Sequence, residues 1–595
     1  MLTNHLNELI DNLLIFLLQY NWLYNFQWIG DLCKFQKDSS HSIVVTSILD
    51  NLPESWKIAL ENANLKELQM FVSDTSNLSH WPNSLVNFSM KCRQLTRLLS
   101  QYIAFKPNNH RFPGCSFNPV SMCTDLITCI EIDQLEKCYL SKMSKKKSYE
   151  IKQISTLIQT ILLSAVNDNH QLLDSSSSSS SNEIFNSNEF LLNNEHIVNH
   201  FQNVPLISKE SMHNIVVKDC KSAIPLKIVD IGAGLGYLSN YLGYRLILTT
   251  DCDNHPLITP QIISIECDLS LHSKALTNLS QYNSMFQVKS LSSIVKRILF
   301  HVESTNLQLL QTRLQQFISS SNYLLIGLHC CGDLSLSIIE LFQQDCLAQC
   351  LLIIGCCYHK ITIEKFPTSN YLREAMLKCD INFIDKCISP ATLRLACQHS
   401  PLTWFKWTEI DASKHRIRVL ARIILDFIFI KYDNLSTAFE RYKRLDPVIH
   451  CDMIKKLLAT KYHDNDKSDQ NWSLHFNDVY PHIINYWQKS LVDIVRSDRI
   501  INNDPCFTEY RDYFEQIWNL IPGLLAIQQL FQPLLETLVL FDRLWCLREC
   551  GNVNATSDVV DPYQYSGYIR IFDPDLSPRC MALFVCKNAE VYRHL

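Results

Sequence analysis

Apolar positions along this chain change their spacing twice, and the changes mark its organisation. From residue 1 to 140 they recur at helical intervals. Leu9, Leu13, Phe16, Leu17 and Tyr20 make one stripe, and Trp22, Phe26 and Trp28 add aromatic bulk. Leu52-Pro53-Glu54-Ser55-Trp56 predicts a turn entering a further helix. Leu9–Ile29 is apolar, but Asp11, Asn12, Gln19, Asn21, Asn25 and Gln27 interrupt it and no basic flank adjoins it, so amphipathic helices are expected rather than a membrane span. Next comes a lysine run, Lys142, Lys145, Lys146 and Lys147, leading a helix whose apolar face is Ile151, Ile154, Leu157, Ile158, Ile161 and Leu162.

Residues 164–223 are polar and low in complexity, with the serine tract Ser175–Ser181, and too few apolar groups are present to offset the ordering entropy; a disordered insertion is expected. Beyond it the period shortens. Leu226, Ile228, Val229 and Ile231 predict a buried strand, Arg245–Thr250 a second, Gln261–Glu266 a third, Tyr323–Leu328 a fourth and Cys350–Ile354 a fifth, with a helix over Leu334–Phe342. Helical spacing returns over 361–550, including an Arg- and His-bearing segment at His415–Ile424. Tyr568–Phe572 and Met581–Cys586 then predict a closing hairpin. The expected fold class is therefore α/β, a doubly wound Rossmann-like sheet. The division is an N-terminal helical domain (1–140), a lysine-led helix of the catalytic domain (141–163), the insertion (164–223), the core (224–360), a helical insertion facing the substrate (361–555) and the hairpin (556–595).

Composition narrows the function. A formal charge of −5 gives no global drive towards nucleic acid or acidic membranes. The 24 cysteines include no C-x-x-C pair, which predicts reduced thiols and an intracellular protein, cytoplasmic or nuclear. The chain has only 12 glycines, yet seven fall within Gly232–Gly355, which signals a local backbone requirement.

Three of those seven lie in Asp230-Ile231-Gly232-Ala233-Gly234-Leu235-Gly236, between the first strand and a helix beginning at Tyr237. A dinucleotide fingerprint would need glycine where Tyr237 stands. The D-x-G-x-G-x-G pattern instead resembles motif I of class I S-adenosylmethionine-dependent methyltransferases, although a tight turn without a ligand would use the same residues. In that reading Gly232, Gly234 and Gly236 cradle the donor and Asp230 organises the loop. Asp251, at the end of the expected second strand, holds the ribose, and Asp268 is a candidate for the adenine edge. His329 and Asp333 follow the Tyr323–Leu328 strand and could accept a proton beside the transferred methyl. A buried structural histidine and a helix-capping aspartate are the alternatives. Cys330, Cys331, Cys356 and Cys357 with His329 and His359 have zinc-like chemistry, but adjacent cysteines point to opposite faces of an extended strand, so packed thiols and no metal are expected.

Further motifs carry a family resemblance. They are Met143-Ser144-Lys145-Lys146-Lys147 with Glu150-Ile151, Val229–Ser239, Gly327–Leu334, Gly355-Cys356-Cys357-Tyr358, Phe366-Pro367-Thr368-Ser369 and Leu395-Ala396-Cys397-Gln398. Leu540-Phe541-Asp542-Arg543-Leu544 and Phe572–Arg579 complete the set. Together they resemble the methyltransferase-like protein 25 family, along nearly the whole chain. The family usually has Pro where Lys145 stands, and the serine-rich insertion is unusually long. The resemblance implies a class I fold and S-adenosylmethionine as donor, but no substrate. H-x-C-G-D with G-C-C-Y is also similar to tRNA ribose 2′-O-methyltransferase motifs, so RNA or protein is the expected acceptor. A non-catalytic scaffold that keeps the fold is the alternative; the amine-methylating Asp/Asn-Pro-Pro-Phe/Tyr signature does not follow the fourth strand.

Overall fold

The computed structural model describes residues 2–28, 32–37, 43–104, 139–141, 143–171, 227–250, 261–285, 291–319, 321–398, 401–431, 445–446, 456, 474–495, 506–552 and 565–587. Seven strands form one sheet in the order β5-β4-β3-β6-β7-β9-β8. These are β3 (Lys227–Ile231), β4 (Gln261–Glu266), β5 (Val295–Leu299), β6 (Tyr323–Cys330), β7 (Ala348–Gly355), β8 (Tyr565–Arg570) and β9 (Met581–Cys586). β5, β4, β3, β6 and β7 run parallel, and β9 and β8 add an antiparallel edge. The chain goes from β3 to β4 on one side and later returns to β6 on the other. This reversal opens a crevice at the carboxyl ends of β3 and β6, where such sheets bind ligands. The fold is a class I, Rossmann-like doubly wound α/β fold.

The central strands are buried on both faces, with Ile228, Val229, Leu324, Leu325, Leu351 and Leu352 fully enclosed, as near-continuous apolar runs require. The expected second strand is not one. Arg245–Thr250 continues the helix Tyr237–Thr250, which is buried nearly all round from Leu238 to Tyr244. A short apolar run does not distinguish strand from helix, and here the period set by the preceding residues prevails. Gln261–Glu266 is therefore the strand beside β3. Val295–Leu299, which the pattern does not reveal, takes the far edge with Lys296 and Arg297 half-exposed.

The helices come from both ends of the chain. The first, Leu2–Gln19, buries Ile10, Leu13, Leu14 and Leu17. The helices Leu2–Gln19 and Asn83–Ile103 send Phe16 and Phe88 against Phe531 of the long helix Arg511–Asn552, at ring distances of 6.1 and 5.6 Å. Among the described residues that long helix is the one apolar enough to cross a membrane, and the apolar stretch is wholly buried inside the protein. A two-stranded ribbon, β1 (Cys33–Lys37) with β2 (Ile43–Ser47), interrupts the N-terminal helices. The lysine-led helix runs from Lys145 to Gln171, so residues 164–171 are helical; the rest of the expected insertion, 172–223, lies outside the described residues.

Candidate functional site

β3 ends at Ile231 and the Gly loop turns at once. Gly232, Gly234 and Gly236 have φ of +74°, +55° and +74°, a region that costs a residue with a Cβ about 1–2 kcal/mol. Gly232 N and Ala233 N both donate to Ile265 O on β4 at 3.0 Å, and Gly236 N donates to Ala233 O at 2.9 Å. At the tip of β4, Glu266 Oε2 accepts from Gly234 N at 2.7 Å, while Oε1 accepts from Cys267 N and Asp268 N at 2.9 Å each. From β5, Arg297 Nη1 donates to Ser264 Oγ at 3.0 Å and Nη2 to Gly234 O at 2.9 Å. A Cβ on Gly236 would stand 2.5 Å from Arg297 Nη1, so glycine here also makes room for the guanidinium.

Beneath the loop Asp230 is buried, with one carboxylate oxygen accepting from Ser239 Oγ and the other unpartnered. Burial pushes its carboxyl up from 3.8 to about 6; the Ser239 bond and the Arg297 charge oppose this, and the Glu266 charge adds to it. Asp230 thus ties β3 to the following helix rather than to the loop amides.

A cavity of about 450 Å³ opens at the strand ends. Gly232 after β3, Cys267 after β4, Phe300 and His301 after β5, and Cys331 and Asp333 after β6 line it. Its size and mixed apolar and polar lining suit a nucleoside-sized ligand. A glycine loop that side chains could not adopt without strain borders it at Gly232, and Phe300 and Val302 give it an apolar wall, a lining that fits a nucleoside-bearing donor. Glu266 is buried beside this cavity rather than lining it, with both oxygens taken by the amides of Gly234, Cys267 and Asp268, so it holds the loop in place.

Glu266 is the loop-positioning residue missed in the sequence. It closes the run Ile262-Ile263-Ser264-Ile265-Glu266, and the strand-terminal acid was legible; the displaced strand order concealed its place beside the loop. Asp251 lies outside the described residues, and no strand precedes it, because 245–250 are helical. Asp268 is exposed and accepts from Leu271 N at 2.9 Å, capping the helix Leu269–Met285; it does not line the cavity.

His329 adopts φ +64°, where the β6–β7 register shifts between Gly327 and Cys330. Its Nε2 is 3.0 Å from Glu150 Oε2, on the lysine-led helix. Glu150 is 1% exposed, its Oε1 also accepting from Ser577 Oγ at 2.6 Å and pairing with Lys146 Nζ at 3.7 Å. Burial acts to raise the Glu150 carboxyl, but the His329 and Ser577 hydrogen bonds and the Lys146 charge outweigh it and hold it below the usual range. Lys147 lies 4.6 Å over the Tyr237 ring, at the start of the Gly-loop helix. Of the lysine run, Lys145 is exposed and Lys142 lies outside the described residues.

Asp333 does not cap the helix Leu334–Gln344 with its side chain. Its Oδ1 accepts from Thr362 N at 2.9 Å and Oδ2 from Thr362 Oγ1 at 2.6 Å, with Lys365 Nζ at 3.3 Å. Burial pushes its carboxyl up, yet the Thr362 bonds and Lys365 together hold it below the ordinary range. Of the expected site residues, Gly232 and Asp333 line the cavity, whereas Gly234, Gly236 and His329 are not part of its lining.

Residues 197–364 match the family model described as a methyltransferase domain. The chain is 24% identical over 282 residues to "Probable methyltransferase-like protein 25" of Mus musculus, 44% of this chain and 37% of that protein. It is likewise 24% identical over 283 residues to the Homo sapiens protein of the same name, 45% of this chain and 37% of that protein. These matches span well under half of the relatives' length, and less of this chain than the scattered motifs cover. No solved structure matches significantly.

Proposed function

Since the chain belongs to the methyltransferase-like protein 25 family, we propose that it is an S-adenosylmethionine-dependent methyltransferase whose acceptor is RNA or protein. The observation that carries this reading is the left-handed Gly loop at the tip of β3, whose Gly232 lines a cavity of about 450 Å³ at the carboxyl ends of the strands. The donor would supply an electrophilic methyl group; the protein's tasks are to align it with the acceptor and to take up a proton where the nucleophile is a hydroxyl or amine. Phe300 and Val302 would shield the base from water. Cys331 and Asp333 would face the methyl end.

His329 is the better proton acceptor of the two candidates. Its Nε2 is backed by the buried Glu150 carboxylate, which would stabilise the imidazolium and fix the ring. Asp333, ionised and saturated by Thr362 and Lys365, is a weak base and serves better to hold the segment around Thr362 against the β6 tip. Those filled acceptor positions are also what favours the second reading, a scaffold that binds the donor without transferring it.

Calorimetric titration with S-adenosylmethionine and its demethylated product tests the donor site. Gly234→Arg places a side chain where no atom lies within 4 Å of its Cβ, so the fold should survive and donor binding should be lost. Folded wild-type protein that binds neither ligand would refute the reading. Labelled methyl transfer into cell extract, with nuclease and protease arms, separates RNA, protein and no acceptor; binding without transfer leaves the scaffold.

A further inference from the structure

The tips of β6 and β7 carry a second constellation, of which the donor reading uses only the cavity wall at Cys331. Cys331 Sγ lies 2.8 Å from Cys356 Sγ, and Cys356 Sγ lies 3.5 Å from Cys357 Sγ. All three sulfurs lie within 4.8 Å of one another, partly buried. The objection that adjacent cysteines face opposite ways applies to only one of the two pairs. Cys330 turns into the core and is 2% exposed, leaving Cys331 on the rim. Cys356 and Cys357, in contrast, follow β7 rather than belonging to it; Cys357 sits at φ −106°, ψ 74° entering a single helical turn, so the pair is not extended and its sulfurs converge.

The backbone around them is fixed. Gly332 N donates to Cys357 O at 3.3 Å, tying one tip to the other. Gly332 itself has φ +56°, and a Cβ there would lie 2.5 Å from Lys360 O, so the two tips approach as closely as they do only because this residue is glycine. Three thiols are thereby held at a common point before any ligand arrives. Tetrahedral thiolate ligation at about 2.3 Å places sulfurs about 3.8 Å apart; the Cys356–Cys357 separation of 3.5 Å is close to that, and Cys331 and Cys356 at 2.8 Å would spread by about 1 Å around an ion. A disulfide would consume two of the three sulfurs and leave the third without a role; a thiophilic cation uses all of them. Reduced thiols are expected in a chain with this cysteine usage.

We infer that Cys331, Cys356 and Cys357 form a binding site for one thiophilic metal ion, zinc by ligand type and geometry, at the mouth of the cavity. Three protein ligands leave a fourth position, and Cys331 lines the cavity, so that position lies on the side where an acceptor would approach. His359 is not among the ligands, because its Nδ1 is 3.2 Å from Cys397 Sγ instead. The site is independent of the donor-site reading, and its test does not require S-adenosylmethionine.

The test uses the full chain, purified under reducing conditions. Elemental analysis should find about one zinc per chain, and cobalt titration should give sulfur-to-cobalt charge-transfer absorption with intense tetrahedral ligand-field bands. Cys356→Ser should lose most of the bound metal, whereas Cys346→Ser, at an exposed cysteine outside the site, should retain it. Should Cys356→Ser fold poorly, alkylation mapping of the wild type decides the matter: zinc should protect the Cys331, Cys356 and Cys357 peptides and leave Cys346 reactive. Folded, reduced protein that takes up neither zinc nor cobalt would overturn the inference. So would unchanged metal content in Cys356→Ser, or a Cys331–Cys356 disulfide in the freshly isolated protein.

Discussion

Glu150 and His329 meet at 3.0 Å although 179 residues of sequence separate them. The carboxylate is 1% exposed and also receives Ser577 Oγ from the hairpin, so one side chain joins the lysine-led helix, the tip of β6 and the β8–β9 connection. Glu150→Ala would leave the buried Ser577 hydroxyl without its partner and His329 without support for its left-handed backbone, a loss of about 2–4 kcal/mol. Glu150→Gln, which keeps the shape, should lose about half of that. Its pH signature follows from the direction of the shift. A carboxyl held below its unfolded value contributes its stability above that value and loses it as pH falls through the folded value. The wild-type advantage over Glu150→Gln in urea denaturation should therefore be full at pH 7 and shrink below about 4.5. An undiminished gap at pH 3.5 would contradict the account.

The Gly loop separates conformational strain from steric conflict. At Gly234 a Cβ meets nothing within 4 Å, so Gly234→Ala should cost only the left-handed conformation, about 1–2 kcal/mol. At Gly236 the same φ penalty is joined by a Cβ 2.5 Å from Arg297 Nη1. Arg297 must then withdraw from Ser264 Oγ or Gly234 O, and Gly236→Ala should cost about 3 kcal/mol or more. Thermal unfolding of the two variants side by side measures the difference. Equal losses would mean that Arg297 has room to move.

Much of this site was legible in the residues, for identifiable reasons. The Gly loop and the strands at 323–328 and 350–354 announced themselves because a parallel strand buried on both faces reads as a near-continuous apolar run and a positive φ strongly favours glycine. Where a signal was local it was ambiguous: Leu246-Ile247-Leu248 suits a strand as well as a helix, and reading it as a strand placed Gln261–Glu266 third instead of beside β3. Long-range pairings carry no local signal at all. Asp542 accepts from Thr368 N, Ser369 N and Ser369 Oγ at 2.9 Å each, and Arg543 Nη2 donates to Ser335 Oγ at 2.9 Å. The motifs Phe366–Ser369 and Leu540–Leu544, separate along the sequence, are two halves of one contact, and both serve the fold rather than the chemistry.

Asp230 makes a second pH prediction, of opposite sign. Its folded carboxyl, raised by burial to about 6 from 3.8, contributes stability below the unfolded value and loses it as pH rises through the folded one. Leaving it ionised above pH 6 costs at most about 3 kcal/mol. Asp230→Asn keeps an acceptor for Ser239 and removes the charge, so it should stabilise the protein at pH 7.5 and give a smaller gain at pH 5. Denaturant midpoints at the two pH values report this, and a gain independent of pH would show that the charge is not responsible.

The buried ion pair between Arg579 Nη1 and Glu536 Oε1, at 2.5 Å, supports the last prediction. Arg579 ends the hairpin connection, and its Nη1 also donates to Ala396 O at 3.0 Å; Glu536 lies in the middle of the long helix and accepts from Gln532 Nε2 at 2.8 Å. Burial pushes the Glu536 carboxyl up, and the Arg579 charge pulls it back. Two charges removed from water gain little net stability from each other, but either one alone is strongly unfavourable. Arg579→Met should therefore cost about 3–5 kcal/mol by leaving Glu536 unpaired, and Glu536→Leu a similar amount. The double variant should recover part of that loss, since no charge is then stranded. Its shortfall from the wild type would measure the lost Arg579 bond to Gln398 O and the lost Gln532–Glu536 bond, since Gln532 Nε2 and Ala396 O keep each other at 3.2 Å. Urea denaturation of the four proteins as a double-mutant cycle gives the coupling directly. Strict additivity of the two single losses would show that the pair does not act as a unit, leaving apolar packing and the Arg548 bonds to Ser566 to hold the hairpin to the long helix.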